Sequence, residues 1–369
     1  MSSSYSQNKL LHSIVEDANE CIQRNETYSV INKFNLPPSG DIHDYLSLAP
    51  YFWPDKHSED GLPYTREDGR VNPDIEEVPD YQMARRLFSD LNTLGSAYFF
   101  TGNETYSERG LHLINIWFVN KETAMNPSLK YGSLITGKAF GRHTGILDFY
   151  PIYKLLDAVK IFRDSRSWLD QPSVGKGLRR WIKRYQKWLL NSSQGRKARK
   201  SSNNHGTYYD FQLIKISEFL HDYDKIDKIL TRWENRVQEQ IDSLGRQVFE
   251  MKRRNSWHYS VFNLKGEFKL LSYSRRSSFT NLKVETKLKS ALDYLSSHAS
   301  KDSWPIKDLS DFNKRQLIEL LEMGFFLFND ERYLNQSIQF QATSEEHLRR
   351  KTLDFCHLSL VLNGNIWLC

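Results

Sequence analysis

From residue 81 onward, the sequence is an almost unbroken succession of helical patterns, and this feature most constrains the fold. Apolar residues recur there at the three- and four-residue spacing of an amphipathic helix. With one helix ahead of them, the predicted helices are 7–23, 81–101, 105–119, 144–162, 174–190, 207–222, 225–244, 282–297, 309–328 and 331–343, and one more is predicted to begin near Glu345. Helix pairs joined by short turns predict an all-α fold, an incomplete (α/α) toroid or barrel of helical hairpins with few short strands.

Strand signals are sparse. The stretches 256–264 (SWHYSVFNL) and 268–273 show some alternation of apolar and polar residues. Each is predicted to be a short strand or an irregular segment.

Residues 25–79 interrupt the helical pattern. Seven prolines prevent long helices there: Pro37, Pro38, Pro50, Pro54, Pro63, Pro73 and Pro79. A long segment of this kind is either a lid or binding loop, or a wrap packed against the rest of the chain. We expect residues 1–369 to form a single domain that includes this lid or wrap.

The net charge of +6 suits a polyanionic partner, either nucleic acid or an acidic polysaccharide. The basic cluster at 179–199 is interpreted as a nucleic-acid patch or as a solvated helix face that runs into a basic loop. No helix-turn-helix, zinc-finger or RNA-recognition pattern accompanies it, so no nucleic-acid partner is expected. The aromatic fraction of 13% can supply a core and can also stack on sugar rings.

Other signals exclude several classes of protein. Cys21, Cys356 and Cys369 form no CxxC pair, so neither a cysteine zinc site nor a disulfide framework is indicated. There is no run of eighteen apolar residues to span a membrane, and the N-terminal residues lack the apolar core of a signal peptide. The four N-x-[ST] sequons permit secretion without indicating it.

Residues 201–210 (SSNNHGTYYD) place Asn203, Asn204 and His205 just ahead of a predicted helix. Backbone N–H groups are free at a helix start, and the helix dipole favours anions there. The segment is either an anion-binding site or an Asn helix cap followed by a surface histidine.

Residues 249–264 (FEMKRRNSWHYSVFNL) bring further functional groups close together in sequence. Arg253, Arg254, Trp257, His258 and Tyr259 stand close together, and an Arg, a Trp and a Tyr in one stretch can bind a carboxylate, stack on a sugar and supply a proton. By itself the segment also fits a loop buried against the core.

Together, the two segments suit β-elimination at a uronic acid. Removal of the C5 proton puts negative charge on the C6 carboxylate, so donors must stabilise that charge where it develops. A base must take the C5 proton and an acid must protonate the departing O4. Asn and Arg suit the first task and His and Tyr the second. No metal or other cofactor is required, and no His/Asp/Glu cluster has metal-ligand spacing.

The sequence resembles the alginate-lyase superfamily, whose members are α/α-toroid lyases acting on alginate or glucuronan. Six stretches between about residues 36 and 273 carry the resemblance, in order: SGDIHDYLSLAPYFWPD, GLPYTREDGRVNPD, TAMNPSLKYG, GILDFYPIYKLLDA, SNNHGTYYDFQ and EMKRRNSWHYSVFNL. The resemblance implies a polysaccharide lyase with an acidic polysaccharide substrate. It also implies a secreted or periplasmic location, although no signal peptide is visible.

The resemblance also implies roles for individual residues. Asn204 and Arg253 would neutralise the uronate carboxylate, with Arg254 as the alternative arginine. His205 would assist them or act as the base at C5, and Tyr259 would be the main acid/base, protonating O4. Supporting or sugar-contacting residues would be Trp257 and His258, with Tyr64, Arg66 and Asn72 in a lid over the substrate; His143 is assigned no role.

Two other functions stay open. One is a catalytically inactive toroid that binds acidic carbohydrate. The other is a glycoside hydrolase on a similar fold, which would need two carboxylates flanking the bond, with Asp148 and Asp210 as candidates.

Overall fold

The computed structural model describes residues 2–277, 279 and 281–343, so the helix predicted near Glu345 lies outside the described residues. The described part contains thirteen α-helices. They are α1 (Ser2–Arg24), α2 (Asp80–Thr101), α3 (Glu104–Ile114), α4 (Ile152–Phe162), α5 (Arg166–Asp170), α6 (Pro172–Asn191), α7 (Ser193–Arg199), α8 (Asn204–Leu220), α9 (Tyr223–Gln240), α10 (Ser256–Arg276), α11 (Leu282–Ser297), α12 (Lys314–Phe328) and α13 (Glu331–Thr343). None of these helices is long and apolar enough to cross a membrane.

The structure has helices in the regions where they are predicted, but some predicted helices are divided or have different ends. Gly102 ends α2 with a left-handed backbone (φ 64°), as its sequence position indicates. The predicted helix 144–162 is divided at Pro151 into a 3₁₀ turn, His143–Phe149, and α4. Two short helices, α5 and α7, were not predicted, and α7 lies in the stretch interpreted as a basic loop.

The strand prediction for 256–264 and 268–273 is wrong, because both stretches belong to α10. Most side chains of α10 are buried, including Trp257, Val261 and Phe268. A helix that is buried on nearly all sides lacks the polar face that reveals helical periodicity. Its apolar and polar residues can then imitate the alternation of a strand.

Clustering of contacts divides the chain into two compact units, of which unit 1 comprises 1–66, 71–197 and 349–369. Its described part holds α1 to α6 and four short strands: β1 (Leu46–Leu48), β2 (Phe52–Trp53), β3 (Thr65–Arg66) and β4 (Tyr131–Leu134). β1 pairs in parallel with β4, and β2 pairs antiparallel with β3. The single-domain organisation stays a prediction.

Much of the proline-rich segment is packed within unit 1. Tyr28, Val30 and Tyr45 are almost fully buried. Lys33 forms a buried ion pair with Asp80, with 2.6 Å between Nζ and Oδ2. This burial favours the wrap alternative for the first half of the segment, whereas the lid role stays a prediction.

Unit 2 comprises 67–70 and 198–348, and its described part holds α8 to α13. α8 packs against α9 and α10, and a polar network joins them. Glu267 accepts hydrogen bonds from Thr207 Oγ1 and Trp233 Nε1, and burial raises the pKa of its carboxyl to about 7. The segment 67–70 is far from the rest of unit 2 in sequence, and it contacts the residues ahead of α10.

Candidate active site

The first turn of α8 displays the Asn–His pair singled out in the sequence. Asn203 caps the helix, because its side chain accepts a hydrogen bond from the His205 backbone N–H at 3.2 Å. Asn204 is completely buried, whereas His205 is half-buried. The helix cap by an asparagine, one of the two alternatives predicted for this segment, therefore exists. Asn203 supplies it, which leaves the Asn204 side chain available for another role.

Glu250 fixes the Asn204 side chain. Its Oε1 accepts hydrogen bonds from the Asn204 backbone N–H at 2.7 Å and from Nδ2 at 2.9 Å, and its Oε2 accepts from Nδ2 at 2.9 Å. Burial raises the pKa of the Glu250 carboxyl, against the opposing influence of Asn204 and Arg253. Oδ1 of Asn204 is buried and has no hydrogen-bond partner among the described residues.

Arg253 lies between Asp68 and Tyr259. Its Nη2 and Nε donate to the two Asp68 oxygens at 2.8 and 3.2 Å. Its guanidinium carbon is 3.7 Å from the centroid of the Tyr259 ring. Burial disfavours the charged guanidinium, but the bonds to Asp68 and the nearby Tyr259 outweigh it and raise the pKa of Arg253. The guanidinium therefore places positive charge against the face of the Tyr259 ring.

Arg254 faces away from this arrangement. Its side chain is exposed, its backbone N–H donates to Asp68 at 3.2 Å, and its carbonyl accepts from Leu309. Arg253, rather than its neighbour, is therefore the arginine that contacts Tyr259.

Asp308 and Ser310 hold the start of α10. Asp308 accepts hydrogen bonds from the Ser256 hydroxyl and the Trp257 backbone N–H, and Ser310 accepts from the His258 backbone N–H at 3.1 Å. These acceptors occupy the place of a helix cap, which Asn255 does not supply through its side chain. Tyr259, in the same first turn, is held in position by this long-range cap.

Trp257 and His258 lie directly before Tyr259 in the same helical turn. Trp257 is 1% exposed and packs on Phe312 at 5.0 Å between ring centroids, so its burial favours a supporting role over direct sugar contact. The His258 ring lies edge-on to Tyr259 at 5.3 Å. Burial and the charge of Arg253 lower the pKa of His258, although Asp311 opposes them.

The remaining predicted contacts belong to unit 1. The hydroxyl of Tyr64 donates to Asp74 at 2.9 Å. Asn72 is buried, donates to the Phe52 carbonyl and to Asp74, and caps the turn Pro73–Glu77 with its oxygen. Both residues therefore have structural partners. Arg66 lies at the exposed end of β3.

The two carboxylates considered for a hydrolase are both occupied. Asp210 is buried and ion-paired with Arg232 and Arg236. Asp148 accepts hydrogen bonds from Ser47 and Tyr45, and burial raises its pKa to about 6. Neither arrangement supports the hydrolase alternative.

Sequence reasoning missed Asp68 and Glu250. Both lie inside quoted motifs, Asp68 in GLPYTREDGRVNPD and Glu250 at the start of EMKRRNSWHYSVFNL. Only the fold shows that they contact the arginine and the asparagine. Among the described residues, no group of three or more His, Cys, Asp or Glu side chains is arranged to hold a metal ion.

Comparison with known proteins identifies the family. The alginate lyase family model matches residues 29–300, whereas no curated protein matches the chain. The crystal structure of an alginate lyase from Bacteroides ovatus is 29% identical, with a TM-score of 0.84 and 90% of each chain covered. Alginate lyase A1-III from Sphingomonas species A1 is 15% identical, with a TM-score of 0.50 over 84% of this chain and 82% of that one. These likenesses confirm the predicted fold class, an incomplete α/α toroid. The chain belongs to the alginate lyase family, a family of polysaccharide lyases.

Proposed function

We propose that this protein cleaves a uronic-acid-containing polysaccharide, of the alginate or glucuronan type, by metal-independent β-elimination. The observation that carries the proposal is the Arg253 guanidinium stacked on Tyr259 within one unit that also buries Asn204. This arrangement puts a cation beside a group able to transfer protons. The Bacteroides ovatus structure is described as an alginate lyase, which makes alginate the first polymer to test.

The proposed reaction has three parts. A base takes the C5 proton of the uronate, and the electron pair left on C5 forms the double bond between C4 and C5. The C4–O4 bond breaks with its electrons going to O4, which then receives a proton. The negative charge that develops on the C6 carboxylate must be neutralised throughout.

Arg253 and Tyr259 carry the central part of this scheme. Arg253 supplies positive charge for the carboxylate, and Tyr259 delivers the proton to O4. His205 assists in carboxylate binding or takes the C5 proton, which a half-buried imidazole at the start of α8 can do. Placing charge in a largely buried site strengthens each of these interactions.

Asn204 can present Nδ2 to a carboxylate only if its amide turns over, because Nδ2 now faces Glu250. A protonated Glu250 would donate to the turned Oδ1 and release Nδ2 toward the substrate. Burial raises the pKa of Glu250, which favours that protonated form. We therefore assign Glu250 the role of positioning the Asn204 amide.

Substrate contacts outside this centre are assigned to the exposed arginines. Arg254 and Arg66 are both exposed, and a guanidinium suits the carboxylates of a polyanionic chain. Trp257 and His258 are assigned to the support of Tyr259, and Tyr64 remains a lid candidate.

One observation favours a second function, a carbohydrate-binding protein without lyase activity. The Asp68 carboxylate already occupies the Nε and Nη2 edge of Arg253. If Asp68 never leaves that edge and the remaining edge is closed, the arginine cannot bind a uronate. Polymer binding without formation of the unsaturated product would identify this second function.

The test measures the ultraviolet absorbance of the unsaturated uronate product with alginate, glucuronan and related polymers. We expect Tyr259→Phe to lower the rate by about 10²- to 10⁴-fold, the usual contribution of a positioned acid or base. Tyr273→Phe is the matched control, because Tyr273 is a buried tyrosine of the same helix with an arginine, Arg276, over its ring at 5.1 Å. No absorbance rise with any polymer, or full activity of Tyr259→Phe, would refute the proposal.

A further inference from the structure

One face of α6 carries a stripe of positive charge. The cations follow one another at intervals of three or four residues, so they share one side of the helix. They are Lys176, Arg179, Arg180, Lys183, Arg184 and Lys187, and all are exposed. The stripe is about 16 Å long, from the rise of ~1.5 Å per helical residue, and α6 contains no Asp or Glu.

Five of these six cations are not neutralised within the described part of the protein. Lys176, Arg180, Lys183, Arg184 and Lys187 form no ion pair with any described carboxylate, and helical neighbours of like charge repel one another. The first turn of α6 also has no acidic residue to interact with the helix dipole. The charges of these cations therefore do not stabilise the helix.

The buried face of α6 is what holds the helix in place. Leu178, Trp181, Ile182 and Tyr185 are almost fully buried. Trp181 also donates a hydrogen bond to the Met125 carbonyl at 2.7 Å. The exposed face is consequently free to serve a partner without a structural task of its own.

An aromatic ring borders the stripe. Trp188 is half-buried and lies one turn beyond Arg184. It stacks on Tyr185 with ring centroids 6.0 Å apart and planes 12° apart. A sugar ring presents apolar C–H faces that pack on such a plane, while its carboxylate can reach a neighbouring Lys or Arg. Cations beside an aromatic edge thus match an acidic sugar.

We propose that the exposed face of α6, with Trp188 at its edge, is a second, non-catalytic binding surface for acidic polysaccharide. The inference rests on the proposed function only for the identity of the polymer. Membership in a polysaccharide lyase family favours a polyuronate over nucleic acid, and no nucleic-acid-binding motif accompanies the cations. A polymer held on this surface stays at high local concentration near the enzyme between cleavage events.

The test replaces three adjacent cations in the full-length protein, as Lys183→Gln, Arg184→Gln and Lys187→Gln together. Affinity electrophoresis in gels that contain alginate reports binding of the long polymer. We expect the dissociation constant to rise at least ~10-fold and its salt dependence to weaken, since each lost ionic contact contributes modestly. Activity on short oligouronates should stay unchanged, because none of the three replaced cations belongs to the proposed active site.

The control removes the same charge elsewhere, as Lys283→Gln, Lys301→Gln and Lys307→Gln together, all exposed positions of unit 2. If this control weakens polymer binding as much as the α6 variant, net charge and not the α6 face binds the polymer. Unchanged binding by the α6 variant would also overturn the inference. So would tighter binding of the parent protein to duplex DNA than to alginate under the same salt.

The two proposals can fail separately. Loss of polymer binding in the α6 variant, with no lyase activity in the parent protein, would support the α6 surface and refute the lyase. Product formation with unchanged binding in the α6 variant would do the reverse.

Discussion

Asp68 provides the sharpest test of the proposed site, because it joins a distant loop to the arginine. Replacement of Asp68 by Ala removes two hydrogen bonds to the Arg253 side chain and one to the Arg254 backbone. If Asp68 orients Arg253, the guanidinium of the variant will sample other positions. Stabilisation of the developing carboxylate charge will then fall.

The structure sets the size of the effect. Side chains of Arg253 and Asp68 are 14% and 16% exposed, so the pair is only weakly screened. Hydrogen bonds to charged groups contribute about 1.5–3 kcal/mol. Arg253 keeps its contact with the Tyr259 ring and so part of its orientation, and only part of this stabilisation is lost with Asp68. A net loss of about 1–2 kcal/mol in the transition state corresponds to roughly a 5- to 30-fold drop in kcat/KM.

The assay is product absorbance under initial-rate conditions, with kcat and KM determined separately. Glu67→Gln is the matched control. Glu67 lies on the same segment and pairs with Arg70 at 2.9 Å, but that pair is more exposed and does not touch Arg253. Asp68→Glu should restore part of the activity, since it keeps the carboxylate. Thermal unfolding of each variant verifies that folded proteins are compared.

An unchanged kcat/KM in Asp68→Ala would refute the orienting role. A fall in KM with unchanged kcat would refute it differently, by showing that the Asp68 carboxylate competes with the substrate carboxylate for Arg253. That outcome would also explain how an arginine already bonded to a carboxylate can serve a lyase.

Three further predictions concern buried polar groups. Glu250→Ala leaves the backbone N–H and Nδ2 of Asn204 without their acceptor, so urea denaturation should show that the free energy of unfolding falls by about 2 kcal/mol or more. A smaller fall in Glu250→Ala than in Glu250→Gln would contradict the role of Glu250 in positioning Asn204. Glu267 has a folded-state pKa of about 7, above the unfolded value of about 4.5, so the folded state binds this proton more tightly. The free energy of unfolding should therefore fall as pH rises from about 4.5 to 7. Glu267→Gln should reduce this pH dependence, measured by urea denaturation, and an unchanged dependence would refute the predicted titration of Glu267. Lys33→Met removes the cation from the buried Asp80 carboxylate, whose pKa burial raises to about 6. The substitution should lower the free energy of unfolding of unit 1 by about 3–5 kcal/mol. A melting temperature equal to that of the parent protein would show that the ion pair contributes nothing to stability.

The helices could be predicted where one face is polar and the ends carry their own signals. α2 ends at Gly102, and the exposed cations of α6 alternate with its buried apolar residues. α10 could not be predicted in this way. It is buried on most sides, and its first turn is capped by Asp308 and Ser310, about fifty residues away.

The fold class, the family resemblance and the residue types of the proposed site could all be predicted from the sequence. Helical periodicity is a local property, and the motifs that carry Asn204, His205, Arg253 and Tyr259 are continuous in the chain. Local sequence could not choose between Arg253 and Arg254, because adjacent residues of the same type differ only in where the backbone points them.

The surroundings of these residues, by contrast, depend on the tertiary structure. It brought Asp68 to Arg253 across 185 positions of sequence, and it enclosed Glu250 against Asn204. Such contacts depend on how distant segments pack, and packing is set by the sum of many weak interactions rather than by any local pattern. The electrostatic environment of the site follows from this packing, because burial and neighbouring charges, not residue type, shift the pKa of Glu250 and Arg253.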